Sequence, residues 1–272
     1  MNLLGHLTRI PSFLGLWLRC FPKLGSLETR VKYGVFQYPQ YAYGAYWSAC
    51  LASRLGIPRI TVAELGVAGG RGLLALEALS EEIESVLGVQ VDVVGFDTGE
   101  GLPKPADYRD LPHIWAEGSY RMDQEALRPR LRRAQLILGD VGQTIPQWLD
   151  SGIRAPLGFV AIDLDYYSST KSALAIFRGL ESSHLPRVHC FFDDVAANDL
   201  GCMSQFVGEL LAIREFNEES EDRKIARIEL LRANRTRWED WQDMMYVFHD
   251  FRHAQYTTRI SSKGPRHTQL PL

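Results

Sequence analysis

Five short apolar runs recur between residues 60 and 193: ITVAEL (60–65), VDVVGFD (91–97), QLILG (135–139), LGFVAID (157–163) and RVHCFFD (187–193). None alternates cleanly between apolar and polar, so each reads as a strand buried on both faces. Segments with helical spacing lie between and around them, at 71–87, 123–133, 143–150 and 168–181. Strands alternating with helices predict a parallel sheet with right-handed crossovers. The end of the chain breaks this rhythm. KIARIELLR (224–232) and DMMYVFHDF (243–251) follow one another directly, joined by ANRTRWEDWQ, and predict an antiparallel pair. The expected fold is therefore α/β: a Rossmann-like, seven-stranded, mostly parallel sheet with a C-terminal antiparallel hairpin and helices on both faces.

Residues 1–58 precede the first strand, look mostly helical and are expected to form an N-terminal arm or lid. Residues 59–260 form the sheet domain. The tail SSKGPRHTQLPL (261–272) is polar and contains Pro and Gly, so disorder is expected there. The opening stretch MNLLGHLTRIPSFLGLWLRCF is apolar but broken by His6, Arg9 and Pro11. It falls short of the roughly 20 apolar residues that a stable membrane span requires, and it lacks a clear signal-peptide pattern. It suits an arm packed on its own domain or on a second subunit, which leaves a homodimer open. The sharper readings are a membrane-surface helix or a substrate lid.

A chain of 272 residues, 46% hydrophobic, can bury the core of one large α/β domain. Its net charge of −3 gives no general attraction to nucleic acid. Arg121, Arg128, Arg130, Arg132 and Arg133 cluster locally and read as a solvated helix face. Cys20, Cys50, Cys190 and Cys202 are scattered without a CxxC pair, so zinc is not expected and cytoplasm is the default location.

The chemistry concentrates at two strand ends. Asp163 and Asp165 close GFVAIDLD, and Asp193 and Asp194 close RVHCFFDD. If these runs are neighbouring parallel strands, their ends lie about 5 Å apart, at the sheet edge where α/β proteins bind ligands. Such acids repel one another unless something positive joins them, and a hard divalent cation held by oxygens suits that place. The simpler reading is a helix cap at Asp193-Asp194 and a polar loop around Asp163 and Asp165.

Upstream, VAELGVAGGRG (62–72) reads as a strand, a glycine turn and a helix start. Glu64 ends the strand, while Gly66, Gly69, Gly70 and Gly72 let the backbone bend and approach a ligand. Asp97 ends the next strand, where a carboxylate can accept from a ribose diol. Two cofactors suit this layout. Gly70–Ala75 matches G-x-G-x-x-A, but a dinucleotide needs its first glycine at the strand end, and Gly70 lies six residues beyond Glu64. S-adenosylmethionine has no pyrophosphate to repel Glu64 and carries an ammonium group that an acid suits. The methyl donor is the favoured reading.

The order E-x-G-V-x-x-G, FDTGEGLP (96–103), DLDYYSST (163–170) and Asp193-Asp194 resembles the TylF/MycF-type macrocin O-methyltransferases over roughly residues 60–200. GDVGQTIP (139–146) resembles that family's segment after the third strand, which brings Asp140 into the expected cofactor-binding set with Glu64, Gly66, Gly70, Asp97 and Asp163. These are class I enzymes of natural-product biosynthesis that use S-adenosylmethionine. The resemblance implies a magnesium ion, Mg2+, held by Asp163, Asp193 and Asp194, with Asp165 as general base and Asp97 as ribose ligand. Gly99 departs from an aromatic residue common in the family, and Leu164 from a glycine.

An acceptor hydroxyl with its pKa lowered by a metal could pass its proton to Asp165. His113, in DLPHIWAEGSY, is a candidate for substrate binding or proton transfer, against the plainer reading of a solvated loop histidine. Trp115, Tyr120, Tyr166 and Tyr167 are candidates for an aromatic acceptor pocket. The expected partner is a small-molecule acceptor such as a sugar, polyketide or phenolic hydroxyl. The competing functions are an NAD(P)-dependent oxidoreductase and a non-catalytic relative that keeps the cofactor site.

Overall fold

The computed structural model describes residues 11–152, 154–196, 199–201, 203–235 and 238–261. The five interior runs fold as β1 (Arg59–Leu65), β2 (Gln90–Asp97), β3 (Gln135–Leu138), β4 (Leu157–Ile162) and β5 (His184–Phe192). The closing pair is β6 (Arg223–Arg227) and β7 (Met245–Asp250). Together they make one seven-stranded sheet in the order β3-β2-β1-β4-β5-β7-β6. All neighbours pair in parallel except β7, which runs antiparallel to both β5 and β6. Every residue of β4 is buried, as is all of β1 except Arg59, which explains why neither run alternates. Strand order reverses between β1 and β4, and a crevice at such a switch point is where open α/β sheets bind ligands.

The helices are α1 (Pro11–Cys20), α2 (Leu27–Tyr33), α3 (Pro39–Leu55), α4 (Arg71–Leu87), α5 (Gln124–Leu127), α6 (Val141–Asp150), α7 (Tyr167–Ala173) and α8 (Gly208–Glu219). Proline opens α3 and Gly56 closes it in the left-handed region, at φ 72°. Tyr41, Ala45, Ala49 and Ala52 form its buried face. Gly44 lets this helix lie directly on β4, since an added Cβ would come within 2.2 Å of the Phe159 ring. Residues 39–55 of the expected arm are thus packed on the sheet. Its first ten residues, and the expected disordered tail beyond Ser261, lie outside the described residues. Among the described residues, no helix is long and apolar enough to cross a membrane.

Four points of the expected element pattern need correction. The run 123–133 is α-helical only at Gln124–Leu127 and continues as a 3-10 turn at Arg128–Arg130. Glu77 accepts the backbone N–H groups of Arg132, Arg133 and Ala134, which draws that segment out of a helix and into β3. The run 168–181 shortens to α7 and a 3-10 turn at Leu174–Phe177. There the Arg223 guanidinium donates to the carbonyls of Phe177 and Gly179, and Phe177 stacks on Phe248 with centroids 4.4 Å apart. The strand expected over 224–232 ends at Arg227. The pattern reading also places no element over 208–219, where α8 lies. Glu209 interrupts its apolar stripe.

Candidate active site

Gly66 leaves β1 at φ 88°, and an added Cβ would stand 1.8 Å from the Asp163 carbonyl oxygen. Only glycine permits that close crossing. The Asp163 N–H donates back to Leu65 O at 2.9 Å, so the ends of β1 and β4 are tied together. Asp97, at the end of β2, braces the same turn. Its Oδ2 accepts from the N–H groups of Val67 and Ala68, both at 2.8 Å, and its Oδ1 accepts from Gly99 N–H at 2.6 Å.

The parallel pairing of β4 with β5 sets Ile162 beside Phe192, so the residues that follow emerge side by side. Carboxylate oxygens of Asp163, Asp193 and Asp194 lie within 4.8 Å of one another. Asp165 sits in the left-handed region at φ 58°. That conformation costs a non-glycine residue of order 1 kcal/mol and often marks a functional site. Its N–H donates to Asp194 Oδ2 at 2.9 Å. Burial pushes the Asp165 carboxyl up to about 7, with Asp193 adding to the effect. Burial and the charges of Asp165 and Asp193 push Asp194 up to about 8. Asp163 is likewise raised well above the usual carboxylate range by burial and by the same neighbours. Among the described residues, no basic side chain lines the cavity beside them. Three hard oxygen donors, close together and uncompensated, fit a divalent cation.

That cavity, of about 240 Å³, lies over the switch point and is bounded by Gly66, Asp97, Asp140, Asp163, Asp165 and the pair Asp193-Asp194. Leu102, Trp115 and Tyr120 close it from above. They belong to a loop pinched at its neck, where Leu102 N–H donates to Ser119 O and Gly118 N–H donates to Leu102 O, both at 2.8 Å. Asp110 pins the loop to the start of α7: Oδ1 accepts Ser168 N–H at 2.8 Å and Oδ2 accepts its hydroxyl at 2.9 Å. Tyr120, at φ 62°, packs edge-on against Trp115. Partial burial, together with Asp165 and Asp194, raises its phenol. Trp115 Nε1 is buried without a hydrogen-bond partner among the described residues.

Of the residues singled out in the sequence, Gly66, Asp97, Asp140, Asp163, Asp165, Asp193 and Asp194 thus meet at one cavity. Asp140 also caps α6, its Oδ1 accepting Gly142 N–H at 2.7 Å. Glu64, Gly70 and His113 do not meet there, nor do Tyr166 and Tyr167, whereas Trp115 and Tyr120 line the cavity. Glu64 lies beneath the turn, buried behind Gly72, where Oε1 accepts the Tyr41 hydroxyl at 2.8 Å and Oε2 has no partner. Burial pushes it up to about 8, against the Tyr41 hydrogen bond. Gly70 precedes α4 and is covered by Leu127, whose Cδ1 would stand 2.2 Å from an added Cβ. His113 is exposed on the loop and does not line the cavity.

Sequence reasoning missed Glu209 and Tyr41. Glu209, on α8, is fully buried next to Asp194. It shares a helical stripe with Ala212, Ile213 and Phe216, all buried, and an acid on an apolar stripe was the available signal. Tyr41 likewise heads a stripe with Ala45, Ser48, Ala49 and Ala52.

No family model and no curated protein sequence matches this chain. Solved structures similar to it include CalS11, a calicheamicin methyltransferase, at 19% identity and a TM-score of 0.49, covering 89% of this chain and 91% of that one. They include the O-methyltransferase NovP, at 15% identity and a TM-score of 0.48, covering 75% and 78%. The O-methyltransferase TomG from Streptomyces achromogenes, solved in complex with SAM, is 15% identical with a TM-score of 0.43, covering 84% and 91%.

Proposed function

We propose that this chain is an S-adenosylmethionine-dependent, divalent-metal-assisted O-methyltransferase for a small-molecule hydroxyl, of the vicinal-diol kind found on sugars, polyketides and phenols. The observation that carries the reading is the uncompensated set Asp163, Asp193 and Asp194 at the switch point, beside a cavity that also holds Asp97 and Asp165. S-adenosylmethionine would supply a methyl group on a cationic sulfonium, whose charge suits an acid-lined wall. A divalent cation on Asp163, Asp193 and Asp194 would supply Lewis acidity that lowers the pKa of an acceptor hydroxyl.

The chain's own residues take the remaining tasks. Asp97 has three of its roughly four acceptor positions filled by backbone N–H groups, leaving one for a ribose hydroxyl. Asp165 is held next to the cluster by its bond to Asp194, and its carboxyl, raised to about 7, can accept the acceptor's proton near neutral pH. Leu102, Trp115 and Tyr120 roof the cavity. Asp110 fixes that roof against α7. A dinucleotide is disfavoured, since its pyrophosphate would face Asp97, Asp140 and Asp163 with Leu127 over Gly70. The same acids disfavour a nucleic-acid partner.

The test is thermal unfolding with S-adenosylhomocysteine, with and without Mg2+, using NADH as control. A ligand at 100 times its Kd stabilises by about 2.7 kcal/mol. We expect S-adenosylhomocysteine to raise the midpoint, Mg2+ to raise it further, and NADH to leave it unmoved. Stabilisation by NADH alone would overturn the proposal.

A further inference from the structure

The two turns that carry the acids are joined by a ring of hydrogen bonds, buried or half-buried. Asp165 N–H donates to Asp194 Oδ2 at 2.9 Å. Asp194 N–H donates in turn to Glu209 Oε2 at 3.1 Å. The other oxygen, Glu209 Oε1, accepts the Thr170 hydroxyl at 3.3 Å. Thr170 returns the ring to its start, because its N–H donates to the carbonyl of Tyr166, the neighbour of Asp165. Thr170 lies on α7 and Glu209 on α8, and the single Glu209 carboxyl group reaches both the turn after β5 and α7.

Stability does not account for an acid at this position. Glu209 is fully buried, the groups that donate to it, Asp194 N–H and the Thr170 hydroxyl, are neutral, and the charges that act on it are those of Asp194, Asp163 and Asp193. A buried acid without a cation costs free energy, and an apolar side chain of similar size would relieve it. What the carboxyl does supply is geometry. It orients the Asp194 N–H within the turn Asp193–Val195, where Asp194 departs from helical geometry at φ −94° and ψ 26°. It also holds that turn against α7, one helical turn beyond Asp165.

We infer that Glu209 is a positioning residue: it sets the spacing of the turns after β4 and β5, and through that spacing the affinity of Asp163, Asp193 and Asp194 for a divalent cation. The inference rests on the metal-assisted reading above. Groups that orient a metal's ligands typically change affinity 10- to 100-fold when removed.

The experiment is calorimetric titration of the full chain with Mg2+, alongside its titration with S-adenosylhomocysteine. Glu209→Gln keeps both contacts, because the amide oxygen can accept from Asp194 N–H and the amide NH2 can donate to Thr170 Oγ. It is expected to bind Mg2+ within about three-fold of the wild type. Glu209→Ala is expected to weaken Mg2+ binding at least ten-fold while S-adenosylhomocysteine affinity holds. Thr170→Val cuts one strut of the ring and should fall between them, and it serves as the readout if the alanine variant does not fold. Wild-type Mg2+ affinity in both Glu209→Ala and Thr170→Val overturns the inference. So does a loss in Glu209→Gln as large as in Glu209→Ala, since charge and not position would then be acting. A wild-type chain that binds no Mg2+ removes the metal reading itself, a result distinct from either.

Discussion

Glu77 and Glu209 are both glutamates on helices, both almost wholly buried, and they sit on opposite halves of the sheet. Burial alone raises a carboxyl, yet Glu77 is held below the usual range. Burial's upward push is outweighed there by the N–H groups of Arg132, Arg133 and Ala134, with the Arg132 guanidinium adding to them. Glu209 moves the other way, raised well above the usual range by burial and by Asp194 and Asp163. The same side chain, equally hidden from solvent, is a satisfied structural anchor near the surface at one place and part of a strained acid cluster in the interior at the other. Depth and partners together decide between them. An acid that pins backbone gives stability to the fold, whereas acids gathered without a cation store repulsion that a ligand can release.

Variants on the two halves should therefore fail differently. The largest effect is expected from Asp165→Asn, which should lower methyl transfer at least 100-fold while leaving S-adenosylhomocysteine and Mg2+ binding near wild type. Single-turnover rates beside binding titrations would check this, and unchanged turnover would remove Asp165 from the mechanism. On the other half, Glu77→Ala strips the acceptor from three backbone N–H groups. It should cost about 2–4 kcal/mol of stability, read from urea midpoints, with no change in Mg2+ affinity. A Glu77 variant that lost metal binding but not stability would erase the distinction drawn here.

A smaller effect is the pH dependence of the ligand-free protein. Asp165 stands at about 7, and Glu64 and Asp194 at about 8, all above the roughly 4 to 4.5 of unfolded carboxyls. Between those limits the folded state binds more protons than the unfolded one. The stability these groups contribute is thus whole below about pH 4 and lost as pH rises through 7 to 8. His189 opposes them, since burial pushes its imidazole down to about 4. Its contribution is whole above about pH 6.5 and falls away toward pH 4. Three raised carboxyls outweigh one lowered imidazole, so stability should be highest near about pH 4.5, fall toward pH 8.5, and fall less with Mg2+ present. Melting curves across that range would check the slope. The smallest effect is expected from Asp193→Asn, which should raise the ligand-free midpoint at pH 8 by about 2–4 °C by relieving repulsion, and abolish the rise that Mg2+ gives the wild type.

Most of the sheet was legible in the chain because strand burial leaves a local mark. ITVAEL and LGFVAID read as strands within a residue or two of their observed bounds. The acids at Asp163, Asp165, Asp193 and Asp194 were legible for the same reason, since each follows directly on a buried run. Helix lengths were less so. Pro129 and the pull of Glu77 broke one helical pattern, and the anchoring of Phe177 by Arg223 and Phe248 broke another.

By itself, the sequence determined the alternation of strands and helices and the placing of Gly66 and the four aspartates at strand ends. Those features depend on residues close together in the chain. Only the tertiary structure decided that Tyr41 shares a hydrogen bond with Glu64, that Asp110 pins the roof loop to Ser168, and that Glu209 braces Asp194. Each joins segments separated by 15 to 58 residues. Their pairing follows from how helices settle on the sheet, which leaves no periodic trace in either partner's own stretch of chain.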